Sequence, residues 1–193
     1  MPTEIANEIK QKCINLGFYA CNFPEEVGGA GLNHLDFALV ERELGRGSMA
    51  LTHFFGRPQN ILMACKGEQS ENYLLPAVRG EKMDALAMTE PDAGSDVRGM
   101  KCFAKRDGTD WIVNGTEPFI SGAEHADFVI VFIATGEEKT EKGPKKKITA
   151  FLVDRGTQGF TIRDGYNSVS HKGYKNMILE FDDCRLPKEQ ILG

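Results

Sequence analysis

The stretch Leu86–Asp96, with the sequence LAMTEPDAGSD, separates two parts of the chain that differ in sequence periodicity. It begins as an apolar strand and ends in a turn of small residues, hydroxyls and freely oriented backbone amides. Such a turn lets a protein approach a phosphate or the polar edge of a ring closely. The stretch therefore indicates an anion or cofactor site, although a plain polar turn capped by Asp and Ser side chains would contain the same residue types.

The residues before this stretch show helical signals. A first helix is predicted from about Thr3 to Leu16, and Gly17 is the residue most able to adopt the left-handed conformation that ends it. The apolar residues on one face of this helix are Ile5, Ile9, Cys13 and Leu16. Asn33 and Asp36 form a capping pair for a second helix that runs to about Leu44.

Two further helices are expected before residue 80. Ser48 is positioned to cap a third helix that continues to Cys65, and Pro58 predicts a kink or break within it. Ser70 is positioned to cap a fourth helix, which we expect to end before Pro76. The first part of the chain is therefore predicted to be all-helical.

From about Asp84 the sequence shows strand-like patterns. The candidate strands are Lys101–Arg106, Asp110–Val113, Phe128–Ile133, Ile148–Val153, Phe160–Arg163 and Met177–Phe181. Asp107-Gly108 suits a tight hairpin turn in which both residues adopt positive φ, and Asn114-Gly115 offers a further turn. The mixed-charge residues 136–147 predict a solvated loop. The fold class is therefore α+β, with a helical domain at 1–83 and a β domain at 84–193.

Composition excludes several classes of function. The net charge of −5 and the pI near 5.5 argue against binding to nucleic acid. The five cysteines are odd in number and widely scattered, which indicates reduced thiols of an intracellular protein. The four histidines have no zinc-binding spacing, so no residue is assigned to a metal. No stretch approaches the ~20 apolar residues of a membrane span, and the first twelve residues are too polar for a signal peptide.

The glycine-rich segment Gly28–Gly31 does not match a dinucleotide-binding fingerprint. Gly29-Ala30-Gly31 is followed by Leu32-Asn33-His34, so the third glycine of G-x-G-x-x-G is missing, and no strongly apolar strand precedes it. The sequence also contains no G-x-x-x-x-G-K-[ST] motif, which leaves nucleotide hydrolysis without support.

Ordered motifs along the chain resemble those of the acyl-CoA dehydrogenase family. Ala87–Asp96 resembles the family pattern (A/C)-x-(T/S)-E-P-x-A-G-S-D, and Trp111–Gly115 with Phe119–Gly122 resembles a W-I-V/I-N-G strand that leads to W-I-T/S. Phe181–Gly193 resembles the ending F-x-x-V-x-V-P-x-x-x-x-L-G. Upstream, Pro24–Leu32 and Glu41–Gly45 resemble P-E-x-x-G-G-x-G-(L/M) and E-E-L-(A/G). The resemblance spans nearly the whole chain and implies that the second domain is an antiparallel β-barrel.

This resemblance implies FAD as the cofactor. The implied flavin-binding residues are Leu86, Ala87, Met88, Thr89, Glu90, Pro91, Asp92, Ala93, Gly94, Ser95, Phe119, Ile120 and Ser121. Thr89 would contact the polar edge of the flavin ring, and Ser95 would contact the FAD pyrophosphate and the bound acyl-CoA. Ser121 stands where the family has a Thr near flavin N5, and Phe119 replaces the usual Trp, which keeps an apolar face but loses the indole N–H.

The reaction implied by the resemblance is α,β-dehydrogenation of an acyl-CoA thioester to a trans-2-enoyl-CoA. The family's catalytic carboxylate lies on a C-terminal helical domain, beyond the position of Gly193, so no residue here is assigned as the base. We therefore expect this chain to be part of a longer enzyme, without that domain and without a first helix, and to be inactive alone. The implied partners are an electron-transfer flavoprotein and further copies of the chain, as a dimer or tetramer, in a bacterial cytoplasm or a mitochondrial matrix.

Two alternatives remain open from the sequence. One is an acyl-CoA oxidase or flavin monooxygenase of the same fold, in which reduced flavin reacts directly with O₂. The other is a non-catalytic module that binds flavin or acyl-CoA. Reoxidation kinetics with O₂ would separate the first from a dehydrogenase, and the downstream reading frame would test the second.

Overall fold

The computed structural model describes residues 3–48, 52–141, 143–169, 173 and 175–193. The chain divides into two compact units. The helical unit comprises residues 1–83 and 168–174, and the sheet unit comprises residues 84–167 and 175–193. Within the described ranges, no helix has both the length and the apolar character needed to cross a lipid bilayer.

Helix α1, Thr3–Asn15, confirms the first predicted helix. Gly17 follows it with a φ of 74°, the left-handed conformation expected of the stop. The predicted apolar face is confirmed only in part, because α1 buries Cys13 of that face together with Ala6, while Ile5 and Leu16 are exposed. The helix packs through its small side chains, which permit a close approach to the rest of the unit.

Helix α2, His34–Leu44, begins as the sequence predicts. The Asn33 side-chain oxygen accepts hydrogen bonds from the N–H groups of Leu35, at 2.9 Å, and Asp36, at 3.0 Å. The Asn33 amide also donates to the Asp36 carboxylate at 2.7 Å. Two otherwise unsatisfied N–H groups of the first turn are thereby bonded.

The third and fourth helix predictions are wrong in their extent. Residues 49–51 of the third lie outside the described residues, and near its predicted end the chain forms only a short 3-10 turn, Asn60–Ala64. A π-helical turn, Ser70–Leu74, continues into α3, Leu75–Val78, instead of ending before Pro76. Proline is tolerated there because the first turn of a helix has no partner for its N–H.

The sheet unit contains seven strands among its described residues. They are β1 Asp84–Ala87, β2 Phe103–Asp107, β3 Asp110–Ser121, β4 Phe128–Thr140, β5 Gly143–Asp154, β6 Phe160–Tyr166 and β7 Asn176–Leu186. They form one curled sheet in the order β1-β4-β2-β3-β7-β6, with β5 paired to β4. The predicted α+β class is confirmed.

The sheet is mixed, which corrects the prediction of a purely antiparallel barrel. Strand β1 pairs in parallel with β4, from Asp84 opposite Phe128 to Ala87 opposite Val131. A single parallel bridge also joins Phe103 of β2 to Ala134 of β4. Parallel pairing needs a long connection between the strands, and the residues between β1 and β4, including the β2–β3 hairpin, provide it.

The β2–β3 hairpin is confirmed, but its turn lies one residue later than predicted. Asp107 pairs with Asp110, so the turn residues are Gly108 and Thr109. Of the predicted turn residues Asp107 and Gly108, only Gly108 has a positive φ, 63°. The second predicted turn, Asn114-Gly115, is wrong. It lies inside β3, where the pairing with β7 shifts between Val113 and Gly115 as at a β-bulge.

The predicted solvated loop at residues 136–147 is also wrong. Residues 136–140 and 143–147 extend the antiparallel β4–β5 ladder, from Gly136 opposite Lys147 to Thr140 opposite Gly143. Opposite charges face each other across the ladder, and the Lys145 ammonium lies 3.6 Å from the Glu138 carboxylate. Cross-strand charge pairs of this kind stabilise an exposed hairpin, and a run of mixed charge does not by itself reveal them.

The core of the sheet unit is continuous and apolar. The four residues Phe128–Val131 of β4 and the three residues Phe151–Val153 of β5 have no exposed surface. Burial of each large apolar side chain contributes roughly 1.5–3 kcal/mol. All five cysteines are buried and free, as expected of reduced thiols.

Candidate functional site

The first predicted flavin segment follows strand β1. Leu86 and Ala87 are the last residues of β1, and Ala87 is fully buried against β4. The chain leaves the sheet at Met88 and Thr89, which are half-buried. The sheet therefore fixes the start of the segment and leaves its polar part on a loop.

The loop is held by its own backbone and by the Glu90 carboxylate. The Glu90 N–H donates to the Ala93 carbonyl at 2.9 Å, and the Ala93 side chain is buried. The Glu90 carboxylate accepts the N–H of Cys102 at 2.8 Å and also that of Lys101. Both carboxylate oxygens thus bind the chain that leads into β2, so Glu90 has a structural role within the loop.

The distal part of the loop is open to solvent. Pro91, Asp92, Gly94 and Ser95 are exposed, and the Asp92 carboxylate pairs with the Lys101 ammonium at 2.5 Å. Among the described residues, no hydrogen-bond partner is found for the Gly94 N–H, the Ser95 N–H or the Ser95 hydroxyl. These groups can donate to an anion without first breaking an internal hydrogen bond.

The second predicted segment is the end of strand β3. The pairing with β7 shifts between Glu117 and Ile120, and Phe119 lies at this irregularity with a φ of 63°. Positive φ is unusual and costly for a non-glycine residue. The Phe119 ring is 52% exposed and stacks on Tyr166, with ring centroids 4.4 Å apart and an interplanar angle of 18°.

The residues after Phe119 return to the sheet. Ile120 is buried and pairs with Met177, whereas Ser121 is exposed and pairs with Asn176. The Ser121 hydroxyl donates to the Asn176 side-chain oxygen at 3.0 Å. Asn176 and Tyr166 thus orient two of the predicted residues, and nothing in the local sequence of β3 predicts either contact.

A buried cluster joins the two segments. One carboxylate oxygen of Glu90, the Cys102 Sγ and one carboxylate oxygen of Glu117 all lie within 4.8 Å of one another. Glu90 belongs to the first segment, and Glu117 precedes Phe119 by two residues. The tertiary structure therefore brings the TEPDAGSD loop, Thr89–Asp96, to the end of β3 that carries Phe119 and Ser121.

The electrostatics of this cluster are unusual. Glu117 has no exposed surface, and neither of its carboxylate oxygens has a hydrogen-bond partner among the described residues. Burial, followed by repulsion from Glu90, raises the pKa of Glu117 to about 9. Burial, with smaller contributions from Glu117 and Glu90, also raises the pKa of the Cys102 thiol. The three groups are of types that bind metals, but burial disfavours the ionised, metal-binding forms of Glu117 and Cys102.

The sequence analysis did not identify Glu117. A signal was available, because Val113, Gly115 and Glu117 alternate along β3, and Val113 is buried. A carboxylate at an inward-facing position of an apolar strand indicates either a partner or an altered pKa.

A separate surface cavity lies on the β2 side of the sheet unit. Its volume is 670 Å³, and it is lined by Met100, Lys101, Phe103, Ala104, Lys105, Arg106, Trp111, Ala134, Thr135, Gly136, Glu137 and Lys146. None of the predicted flavin residues belongs to this lining. The cavity therefore does not contribute to the assignment of the flavin site.

Comparisons with known proteins agree with the motifs. Residues 2–81 match the acyl-CoA dehydrogenase N-terminal domain, and residues 85–184 match the middle domain. The chain is 35% identical over 189 residues to the short-chain specific acyl-CoA dehydrogenase, mitochondrial, of Homo sapiens, which covers 95% of this chain and 45% of the human protein. It is also 36% identical over 184 residues to the isovaleryl-CoA dehydrogenase, mitochondrial, of Pongo abelii. This match covers 93% of this chain and 43% of that protein.

A solved structure shows the same fold. The glutaryl-CoA dehydrogenase of Mycobacterium smegmatis, determined in complex with FADH2, superposes with a TM-score of 0.82 at 29% identity, over 96% of this chain and 47% of that one. The chain thus spans about half the length of the relatives it matches. With both domain matches, the ordered motifs and the shared fold, the chain belongs to the acyl-CoA dehydrogenase family.

Proposed function

We propose that residues 1–83 and 84–193 are the N-terminal and middle domains of an FAD-dependent acyl-CoA dehydrogenase, and that the middle domain binds the flavin. The reaction is the α,β-dehydrogenation of an acyl-CoA to a trans-2-enoyl-CoA, with an electron-transfer flavoprotein as acceptor. The observation that carries this proposal is the contact between the Glu90 loop and the end of β3 through Glu90, Cys102 and Glu117, within 4.8 Å. The two segments are separated in sequence by strand β2 and most of β3, and the curled sheet brings them together.

The residues of the two segments fit a flat ring with polar edges. Phe119 presents an exposed aromatic face at a bulge, and such a face can pack against a planar apolar surface. The free N–H groups of Gly94 and Ser95 suit a phosphate, and the hydroxyls of Thr89 and Ser121 suit the polar atoms of a ring. FAD, when bound, supplies the hydride acceptor, and these side chains would hold and orient it.

No carboxylate of the described residues is assigned as the catalytic base. Glu90 is buried with both oxygens bonded to backbone N–H groups, and Glu117 has no exposed surface. A base must come within hydrogen-bond reach of the substrate α-carbon, and neither of these groups can do so. We therefore expect the chain alone to bind FAD weakly and to show no dehydrogenase turnover.

Flavin titration with matched variants tests this proposal. We expect Phe119→Ala to weaken FAD binding about tenfold or more through lost packing, and Ser121→Ala by about fivefold through a lost hydrogen bond. Phe103→Ala is the control, because Phe103 is 49% exposed, similar to Phe119, but lies on β2. Flavin absorbance and fluorescence report the dissociation constant. Equal effects of Phe119→Ala and Phe103→Ala, or submicromolar affinity with full turnover, would contradict the proposal.

A further inference from the structure

Glu117 is a buried acid to which the proposed function gives no role. Both of its carboxylate oxygens lack a hydrogen-bond partner among the described residues, and its side chain has no exposed surface. An isolated ionised carboxylate in such a place is strongly unfavourable, so the group must be neutralised by a proton or by a cation.

The groups that face Glu117 come from two neighbouring segments. Glu90 approaches from the loop after β1, and Cys102 approaches from the segment before β2. On β7 the cross-strand partner of Glu117 is the apolar Leu179. Glu180, which follows Leu179 on β7, pairs with Arg163 of β6 at 2.8 Å, and the buried Asp84 stands at the opposite end of β1 from the Glu90 loop.

Glu90 differs from Glu117 in its hydrogen-bond donors. Its carboxylate accepts two backbone N–H groups, those of Lys101 and Cys102. Neither oxygen of Glu117 has such a donor among the described residues. A proton on Glu117 removes its charge, and with it the repulsion between the two carboxylates.

We propose that Glu117 is a positioning residue: a neutral carboxylic acid whose lack of charge lets the TEPDAGSD loop pack against the end of β3. This role rests on the proposed function, because these are the two segments assigned to the flavin. Loss of the proton places two like charges within 4.8 Å of each other and pushes the segments apart.

A proton on Glu117 makes the stability of the sheet unit dependent on pH, and this stability falls as the pH rises. Burial and Glu90 raise the pKa of Glu117 from 4.5 to about 9. Between these two values the folded chain retains a proton that the unfolded chain has lost. The contribution is therefore fully present below pH 4.5 and decreases as the pH rises toward about 9.

Infrared spectroscopy tests the proton directly and without flavin. We expect the carbonyl band of a protonated carboxyl group at pH 7 in the wild-type chain, its absence in Glu117→Gln, and its loss from the wild type as the pH passes about 9. Absence of a band attributable to Glu117 at pH 7 would overturn the proposal. A stoichiometric metal ion bound through Glu117, measured by elemental analysis, would also overturn it.

Thermal unfolding and flavin titration test the consequences. We expect Glu117→Gln to have a higher Tm than the wild type. The difference between the two Tm values should increase by roughly 5 °C or more from pH 6 to pH 9. If FAD binds only to the chain in which Glu117 is neutral, the wild-type Kd for FAD rises about tenfold at pH 10, because about a tenth of Glu117 is neutral at that pH. Glu117→Gln keeps a neutral donor, so its Kd should stay within about twofold.

Glu137→Gln is the matched control, because it makes the same substitution at an exposed position of β4. It should follow the wild type in both measurements. A pH-independent Tm difference for Glu117→Gln would overturn the proposed protonation of Glu117. Failure of FAD to bind at any pH, with the infrared band present, would instead refute the flavin assignment.

Discussion

The helical unit and the sheet unit bury their apolar residues in different ways. In the sheet unit the most buried residues, such as Phe128–Val131, are also those paired in the ladder. In the helical unit, α2 buries none of its residues, and Leu39 is 50% exposed. The fully buried Leu62 and Phe23 lie outside the α-helices. Backbone pairing and core burial thus coincide in the sheet unit, whereas in the helical unit they coincide in α1 and α3 but not in α2.

The largest expected effect compares the same substitution in the two units. Leu152 of β5 has no exposed surface, so Leu152→Ala should reduce the free energy of unfolding by about 2–5 kcal/mol through lost burial and a cavity. Leu39→Ala on α2 should change it by no more than about 0.5 kcal/mol. Urea denaturation of both variants measures the difference. Similar losses for the two variants would show that the burial contrast does not control stability.

An intermediate effect compares two glycines with positive φ. A Cβ at Gly115 would lie 2.5 Å from the buried Cys102 Sγ, whereas nothing lies within 4 Å of a Cβ at Gly17. Gly17→Ala should therefore cost about 1 kcal/mol from backbone strain, and Gly115→Ala a further 1–3 kcal/mol or so from overpacking. Denaturant midpoints measure both. Equal costs would mean that the space around Cys102 adjusts freely.

The smallest expected effect concerns the N-terminus of α2. Because α2 buries no residue, its stability depends on local interactions, and Asn33→Ala should cost about 1 kcal/mol. Far-ultraviolet circular dichroism and denaturation measure the loss. Asn33→Ser is the control, since it retains a side-chain oxygen that can accept from the first turn. A loss as large for Ser as for Ala would show that the cap is not the cause.

Much of the fold could be predicted where the signal is local. The Asn33 cap, the Gly17 stop and the apolar run Phe128–Ile133 each depend on a few adjacent residues, and each is confirmed. The predictions for Asn114-Gly115 and for residues 136–147 were wrong because pairing with a distant strand decided their conformation. Turn propensity and charge do not report such pairing.

The candidate site divides in the same way. Sequence motifs indicated the TEPDAGSD loop and residues 119–121, and their roles toward flavin stay predictions. The Tyr166 ring against Phe119 and the Asn176 amide against Ser121 come from other strands, so no local pattern contained them. Glu117 was detectable in principle as a charge at an inward position, but its proximity to Glu90 was not.

By itself, the sequence determined the family, the α+β class and the two segments assigned to the cofactor, because each depends on patterns of contiguous residues. Only the tertiary structure decided that β1 runs parallel to β4 and that Glu90, Cys102 and Glu117 meet in the interior. The physical reason is that strand pairing and burial depend on residues far apart in the chain. The charge state of a buried carboxyl depends on which neighbours that pairing brings to it.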